Sequence, residues 1–477
     1  MVRLRRGPRA HLRPITITIG ASIAHADRPR RTAARLSVAL SVVLAAASGE
    51  LSANADPLIG LLPPGGSGVG FTVRSEASPY RGDERKYDLV PHFAYDGRYF
   101  YLQSDRAGLK LEREKWRAEL FVKRRLEGFP SDEMPASMTG LEQRSVGSDT
   151  GVAASLRLGE GTAYVELSHD GGGTSNGTEL RLGYRYESWW SGRTRWRPYF
   201  TASYRDAKLN NYYYGVPGYE PGSGINLELG AVAAHRLSEH WQLFGRIALL
   251  RASEGVRGSP VVEDKTTPSA TVGLMYGFTP RAGAPLEGEP LIVRVLHGAS
   301  TECHLLKIMA LVCIDTHTHD PTNVSAIEFG RRLVERLNGW PVDIAGFVGL
   351  LHHDEQGLQK SFWQVNGYLK AYFYGFPWRE RLRTRLGFGG GISYASRIPF
   401  SEAREQARRG RDTSKLLLYA DPSIDINLGD LLGARELREV YAGFGVSHRS
   451  GIFGSAQLFN NVNGGSNYIY GYVEASF

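Results

Sequence analysis

The amino-acid sequence predicts an all-β protein built from antiparallel transmembrane β-barrels, and three observations support this prediction. The composition favours turns and aromatic residues, with 57 Gly, 24 Tyr, 19 Phe and 8 Trp in 477 residues. Several segments of about ten residues alternate apolar with charged side chains and carry aromatics near their ends. After residue 55, no apolar run approaches the roughly 18 to 20 residues that a transmembrane helix requires.

The first 55 residues have the order of features that is typical of a leader with a signal peptide. They hold nine of the 57 Lys and Arg residues and two of the 49 acidic ones. The arginines precede the apolar stretch LSVALSVVLAAAS at 36–48, and the small residues ANA follow at 53–55. We therefore predict cleavage after Ala55. Since basic and acidic residues nearly balance in the remainder, the net charge of +8 indicates no nucleic-acid surface.

The alternating segments indicate a wall between lipid and water. In WRAELFVK at 116–123, the apolar set includes Leu120 and Val122, and the charged set includes Arg117 and Glu119. The segments at 178–187, 195–205 and 363–374 sort in the same way. A periplasmic β-protein would also alternate, but successive charges on one face and apolar residues on the other favour a watery lumen and a lipid-facing wall.

The chain divides into two predicted barrels. Residues 56–280 hold ten to twelve candidate strands, and a linker at 281–290 belongs to the Pro- and Gly-rich stretch TPRAGAPLEGEP. Residues 291–477 hold eight more strands, the smallest usual number for a transmembrane barrel. One continuous barrel of about eighteen to twenty strands, acting as a pore, is the alternative. The polar segment 401–412 is expected to be a solvated loop, with a helix as the alternative.

Residues of the first half resemble the MipA/OmpV family of MltA-interacting outer-membrane proteins. The resemblance is carried by SPYRGDERKYDLVPHFAYDGRYFYL at 78–102, the tyrosine-rich NNYYYGVPGYEPGSG at 210–224 and SATVGLMYGF at 269–278. It implies a non-catalytic scaffold in the outer membrane of a Gram-negative bacterium, bringing a murein lytic transglycosylase near a murein synthase. The alternative for the tyrosines is an aromatic rim at headgroup level.

The stretch FGVSHRSGIFG at 444–454 raises a second interpretation. Side chains two apart on a strand share a face, so His448 and Ser450 lie on the apolar face of the penultimate strand. The second half resembles the lipid A 3-O-deacylase (PagL) group, whose His-x-Ser motif lies on the lipid-facing wall. The resemblance implies an esterase acting on outer-membrane lipid or lipopolysaccharide. In that group an acidic residue orients the histidine, but none follows Ser450 up to Asn467, and Glu474 is predicted on the opposite face. Asn467 is the substitute considered for orienting His448.

Three further patterns leave alternatives open. The histidines of DTHTHD at 315–320 and HHDE at 352–355 suit a divalent metal, but loop histidines are common. Cys303 and Cys313 are either a disulfide closing a short loop or two buried thiols. None of the patterns indicates a cofactor. The function expected from the sequence is scaffolding of the murein machinery, with the esterase and the pore as alternatives.

Overall fold

A computed structural model describes residues 66–83, 86–103, 105–129, 134–263, 265–278, 289–316 and 318–477. The predicted leader, its cleavage site after Ala55 and most of the predicted linker at 281–290 lie outside these residues. Within the described part of the chain, no helix has the length and apolar character needed to cross a membrane.

The first barrel is a ring of twelve antiparallel strands. In chain order, and including the short side strand β9, the strands are β1 (Ser67–Glu76), β2 (Lys86–Asp96), β3 (Phe100–Gln103), β4 (Arg106–Glu112), β5 (Trp116–Arg125), β6 (Gly147–Leu158), β7 (Gly161–Asp170), β8 (Thr178–Tyr186), β9 (Ser188–Ser191), β10 (Thr194–Arg205), β11 (Gly224–Arg236), β12 (Trp241–Arg251) and β13 (Thr266–Gly277). Pairing of β8 with β10 and of β13 with β1 closes the ring, and β9 pairs with β10 outside it.

The second barrel closes separately with eight antiparallel strands, because its last strand pairs with its own first strand. The strands are β14 (Leu291–Thr301), β15 (Asn323–Val334), β16 (Val342–Asp354), β17 (Phe362–Phe373), β18 (Thr384–Ala395), β19 (Leu416–Asn427), β20 (Val440–Ser450) and β21 (Asn467–Ser476). The predicted all-β fold with an eight-stranded second barrel is confirmed. The alternative of one continuous barrel is wrong, since the ends of both rings find partners within the same ring.

The predicted alternation sorts side chains between the membrane and the lumen. On β5 the outward Leu120 and Val122 are 56% and 54% exposed, whereas the inward Arg117 and Glu119 are 0% and 6% exposed. Pairing between neighbouring strands also satisfies backbone N–H and C=O groups, which hydrocarbon cannot do. The two faces therefore have the distribution that a lipid-facing wall around a charged lumen requires.

The two ends of the barrels differ in the length of their connections. One end has short connections, such as 97–99, 113–115, 159–160 and 237–240. The opposite end has long ones, including 126–146, 206–223, 302–322, 396–415 and 451–466. Because outer-membrane barrels have short periplasmic turns and longer outer loops, we assign the long-loop end to the cell exterior. Both barrels begin and end at the short-turn, periplasmic end.

Five α-helices lie in those connections between strands that the structure describes. They are α1 (Ala207–Tyr214), α2 (Glu254–Arg257), α3 (Leu305–Met309), α4 (Phe400–Arg408) and α5 (Leu428–Leu432). For the segment 401–412, the alternative of a helix is confirmed over most of its length by α4, and the expectation of a solvated loop is wrong there. Helix α4 buries Glu402 and Gln406 at the outer mouth of the second barrel and leaves its arginines outside, since its polar face has partners there.

Candidate functional site

The lumen of the first barrel contains a cavity of roughly 370 Å³ lined mainly by charged and uncharged polar side chains. Arg106 donates to Glu166 over 2.6 Å and to Glu119 over 2.9 Å, and Lys123 donates to Glu166 over 2.5 Å. These side chains face inward on β4, β5 and β7, as the alternation predicts. Ion pairs thus link these strands across the inner surface of the wall, and each of these four charges has an opposite one beside it.

The tyrosine-rich segment caps this lumen at the outer end. Helix α1 begins after Asp206, whose carboxylate accepts the N–H of Leu209 over 2.9 Å. An apolar cluster, the outer cap, joins α1 to three other outer loops through Tyr80, Phe129, Met138, Leu209, Tyr213, Tyr214, Val256, Val261 and Val262. Tyr213 and Tyr214 are buried in it, so these two do not form an exposed rim at headgroup level.

One carboxylate ties the outer cap to the wall of the barrel. The hydroxyl of Tyr214 donates to Oε1 of Glu127 over 2.7 Å, and Arg205 donates to the same oxygen over 3.1 Å. Burial by itself would raise the pKa of Glu127, but the guanidinium groups of Arg205 and Arg125 and the Tyr214 hydroxyl lower it below the ordinary 4.5. Glu127 is therefore ionised at neutral pH and compensates the two arginines.

A denser charge network fills the middle of the second barrel. The carboxylate of Asp421 accepts from Arg294 over 3.0 Å and from Lys370 over 2.6 Å, and Arg294 lies 3.3 Å from Glu328. All four side chains are fully buried. Tyrosines pack around them; Phe347 and Tyr368, for example, stack with ring centroids 5.3 Å apart. Side chains therefore occupy this part of the lumen.

Helix α4 closes the outer mouth of the second barrel. Glu402 lies 3.3 Å from Arg449, which faces inward from β20, and it also accepts from Ser466. Glu355 in a neighbouring outer loop accepts the N–H of Phe400 over 3.0 Å. Burial raises the pKa of Glu402 and outweighs the opposing effect of the arginine. Helix α4, the lid of the second barrel, is thus held by buried charges that are partly compensated.

The periplasmic mouth of the second barrel remains open. A cavity of roughly 580 Å³ lies there, between the turns 335–341, 374–383 and 428–439. Its lining includes charged residues of both signs: Arg332, Glu335, Arg336, Asp343, Arg379, Glu380, Arg383 and Glu439. We call this cavity the periplasmic vestibule. It offers a concave, polar surface on the side of the membrane where murein lies.

The structure brings together two of the three predicted catalytic residues. Nδ1 of His448 lies 2.5 Å from Oδ1 of Asn467, and the two residues are directly opposite on β20 and β21. Nδ2 of Asn467 donates to the carbonyl of Cys303 over 2.9 Å, which fixes Oδ1 as the atom facing the histidine. The histidine Nδ1 then carries the proton, and Nε2 is left as an acceptor.

The third residue, Ser450, lies on the same outward face but is not bonded to His448 among the described residues. Its hydroxyl accepts the N–H of Ile452 over 3.3 Å. Glu474 faces the lumen, where it accepts from Arg385 and Tyr372, each over 2.8 Å. The prediction that Glu474 lies on the opposite face is confirmed.

The outer loop after β14 folds over the wall that carries His448. A disulfide joins Cys303 to Cys313, and Cys303 and Ile308 pack against Val446, two residues before the histidine. His448 is only partly exposed, whereas Phe444, further along the same face, is 53% exposed. The disulfide loop therefore covers the part of the wall that the sequence assigned to lipid contact.

The histidine pairs considered for a metal do not form a cluster. His352 points outward and packs against Trp363, whereas His353 points inward and stacks on Phe362. His319 bonds Glu302, and His317 lies outside the described residues. Among the described residues there is no group of three or more His, Cys, Asp and Glu side chains placed to hold a metal.

Comparison with known proteins connects the first barrel with a family. Residues 69–278 match the family model "MltA-interacting protein MipA". Outer membrane protein Omp26La of Vibrio anguillarum is 26% identical over 136 residues, covering 27% of this chain and 52% of that protein. Outer membrane protein OmpV of Vibrio cholerae is 25% identical over 136 residues, with the same coverage. The chain thus spans about half the length of the relatives it matches.

The solved structure of OprB from Pseudomonas putida covers 86% of this chain and 93% of its own, with 9% identity and a TM-score of 0.21. The family match ends at residue 278, and the resemblance of residues 291–477 to lipid A 3-O-deacylases remains a prediction. Together, the relatives and the two closed barrels place the protein in the Gram-negative outer membrane.

Proposed function

We propose, from the premise that the first barrel is of the MipA/OmpV type, that this outer-membrane protein is a scaffold for murein-processing enzymes. Its partner would be a murein lytic transglycosylase of the MltA type, brought near a murein synthase. The observation that carries the proposal is the match of residues 69–278 to a family described as MltA-interacting. On this proposal the barrels anchor enzymes and perform no chemistry on murein themselves.

The interior of the barrels supports an anchoring role over a channel. In the first barrel, salt bridges such as Arg106 to Glu166 cross beneath the outer cap. In the second, the buried group around Asp421 occupies the lumen. Interlocking charges stiffen a barrel and obstruct permeation. The accessible polar surface then lies at the periplasmic end of the second barrel, where a murein enzyme can contact it.

The periplasmic vestibule is the docking surface that this proposal favours. Its arginines include Arg336 and Arg379, which lie on turns between strands. Turns at a barrel rim tolerate substitution because the ring of strands beneath them is unchanged. Charge reversal there should change partner binding without changing the fold.

Binding of a purified MltA-type lytic transglycosylase to the immobilised full chain in detergent tests the scaffold. We expect saturable binding that drops about tenfold or more in an Arg336→Glu, Arg379→Glu variant, as for loss of charged contacts. The matched control is Arg408→Glu on the outer lid, which should bind like the unchanged chain. Absence of binding by the unchanged chain would overturn the scaffold. Equal binding by all three chains would show that the docking surface lies outside the vestibule.

The hydrogen bond from His448 to Asn467 favours a second candidate function, a lipid A esterase. In that reaction the Ser450 oxygen attacks an acyl ester carbonyl while Nε2 of His448 takes the hydroxyl proton. The ester C–O bond then breaks, the imidazolium protonates the departing lipid alcohol, and a water deprotonated by the same histidine releases the fatty acid from the acyl-serine. The disulfide loop over His448 and the bond from Ile452 to Ser450 both weigh against it. Mass spectrometry of lipid A from cells expressing the unchanged chain or Ser450→Ala decides. Loss of an acyl chain only with the serine present would establish the esterase.

A further inference from the structure

The wall of the first barrel has a gap beside β2. Strand β3 has only four residues and pairs with β2 only at Ala94, Tyr95 and Asp96. Among the described residues, the stretch 87–91 of β2 has a neighbouring strand on the β1 side alone. Beyond the gap lie the top of β5 and the loop that follows it. An unpaired strand edge within a membrane wall is costly, because hydrocarbon supplies no hydrogen bonds.

The sequence of β2 fits an edge without a neighbouring strand. The N–H of Leu89 points into the gap, and residues two apart on a strand direct their N–H groups to the same side. Residue 91, on that side, is proline and has no N–H to pair. Proline within a sheet is found on edges of this kind. The gap is therefore consistent with the residues that border it.

The last outer loop of the second barrel fills this gap. The carbonyl of Ser455 accepts the N–H of Leu89 over 3.1 Å, and the N–H of Gln457 donates to the carboxylate of Asp88 over 2.8 Å. Nε2 of Gln457 donates to the carbonyl of Gly128 over 3.1 Å, and Oε1 accepts from Arg74. The segment thus bonds to β2 and to the loop after β5, on both sides of the gap.

Apolar packing accompanies these hydrogen bonds. Ala456, Leu458 and Phe459 are fully buried, in one cluster with Val90 of β2 and Leu417 of β19. Among the described lining residues of the 370 Å³ cavity, Gln457 is the one contributed by the second barrel. Residues 455–459 therefore separate the charged cavity from the outside of the first barrel.

We propose that residues 455–459 are the missing piece of the first barrel's wall, so that the gap beside β2 is the docking surface for the second barrel. The occupant is this segment of the same chain, and it shuts the cavity from the outer leaflet. The two barrels consequently form one structural unit, in which the second completes the first. This role is independent of whether the protein binds murein enzymes.

Thiol labelling of a Val90→Cys chain in lipid vesicles tests the proposal. Val90 is 7% exposed beneath the segment, so labelling by a maleimide should be slow in the otherwise unchanged chain. Replacing 455–459 with a Gly-Ser run of equal length should accelerate it by about tenfold or more, since local opening controls access to buried groups. The matched control replaces 356–360, an outer loop away from the gap, and should stay slow.

A milder variant keeps the test decisive if the replaced loop prevents folding. Gln457→Ala removes the side-chain bonds to Gly128 and Arg74 and leaves the backbone unchanged, so labelling of Val90→Cys should rise by a smaller factor. Gln356→Ala, on the exposed control loop, should have no effect. Rapid labelling of Val90→Cys in the otherwise unchanged chain would overturn the proposal. The proposal would also be overturned if all variants that fold, as judged by a heat-modifiable gel band, were labelled at the same rate.

Discussion

The backbone N–H of Gln457, in the last outer loop of the second barrel, donates a 2.8 Å hydrogen bond to the carboxylate of Asp88 on β2 of the first barrel. The two residues are 369 positions apart in sequence. Two side-chain hydrogen bonds surround this one: Oε1 of Gln457 accepts from Arg74, and Nε2 donates to the carbonyl of Gly128. A buried carboxylate thereby orients a loop that belongs to another barrel.

Removing this carboxylate should uncouple the barrels. We expect Asp88→Ala to lower the free energy of unfolding by about 1.5–3 kcal/mol, the range for hydrogen bonds to charged groups. Unfolding of each barrel by urea in lipid vesicles can be followed by the gel mobility of the chain. The unfolding midpoints of the two barrels should also move apart. Asp354→Ala is the control, because Asp354 is exposed and bonds only its neighbour Gln356 among the described residues. A single unchanged transition in Asp88→Ala would refute the coupling.

The outer cap should depend on Glu127. Glu127→Gln removes the charge that compensates Arg205 and Arg125, and we expect a loss of about 2–4 kcal/mol in the free energy of unfolding. Tyr214→Phe deletes only the hydroxyl and should cost about 1–2 kcal/mol. Tyr87→Phe, at a side chain that is 74% exposed, should be neutral. Equal stability of all three variants in urea titrations would contradict the assigned role of the carboxylate.

Acid should weaken the same cap. Burial acts to raise the pKa of Glu127, but its arginines and Tyr214 lower it overall, so the folded state binds the proton less tightly than the unfolded chain. The stabilisation is therefore fully present above the unfolded pKa of about 4.5 and is lost as pH falls through the lower folded pKa. Urea midpoints measured from pH 7 to pH 3 should fall less steeply in Glu127→Gln. If the urea midpoints of the two chains fell equally with pH, protonation of Glu127 would not be the cause of the acid sensitivity.

The buried network of the second barrel should tolerate disruption poorly. Asp421→Asn leaves Arg294 and Lys370 without their shared carboxylate, and we expect a loss of about 3–5 kcal/mol in the free energy of unfolding. Asp343→Asn at the vestibule, 3.7 Å from Arg332, should cost less than about 1 kcal/mol. Denaturant titrations monitored by tryptophan fluorescence compare the two. Similar losses at both sites would mean that burial does not set the cost.

Opening the disulfide loop should expose His448. A Cys303→Ser, Cys313→Ser chain loses the cross-link that shortens this loop, which the chain-entropy account values at about 2–3 kcal/mol. The contacts over Val446 should then loosen, and diethylpyrocarbonate should modify His448 faster, as read by peptide mass spectrometry. His353, buried inside the barrel, is the internal control. Unchanged modification of His448 would show that the loop does not protect it.

The strands could be predicted from the sequence because alternation with period two is a local property. Arg117 and Leu120 lie on the faces that the pattern assigned to them. The pairing of His448 with Asn467 was also accessible, since adjacent strands joined by one loop place their ends together. These predictions depend on residues near one another in the chain or on the regular pleat of a strand.

The remaining features depend on contacts between distant segments. No periodicity links Gln457 to Asp88, and the shortness of β3 is hidden by the continuous aromatic run YFYL at 99–102. The cover over His448 depends on where the loop after β14 folds back. The burial of α4 could not be predicted, because its carboxylate Glu402 looks like a solvent-facing residue until Arg449 is placed beside it.

The central claim, that one chain forms two separately closed barrels, is tested most directly by exporting residues 289–477 alone behind a signal peptide. The claim predicts a detergent-extracted fragment that migrates faster before heating than after, as a closed eight-stranded barrel does. A fragment whose mobility ignores heating, while the full chain remains heat-modifiable, would show that its strands close only with those of the first half.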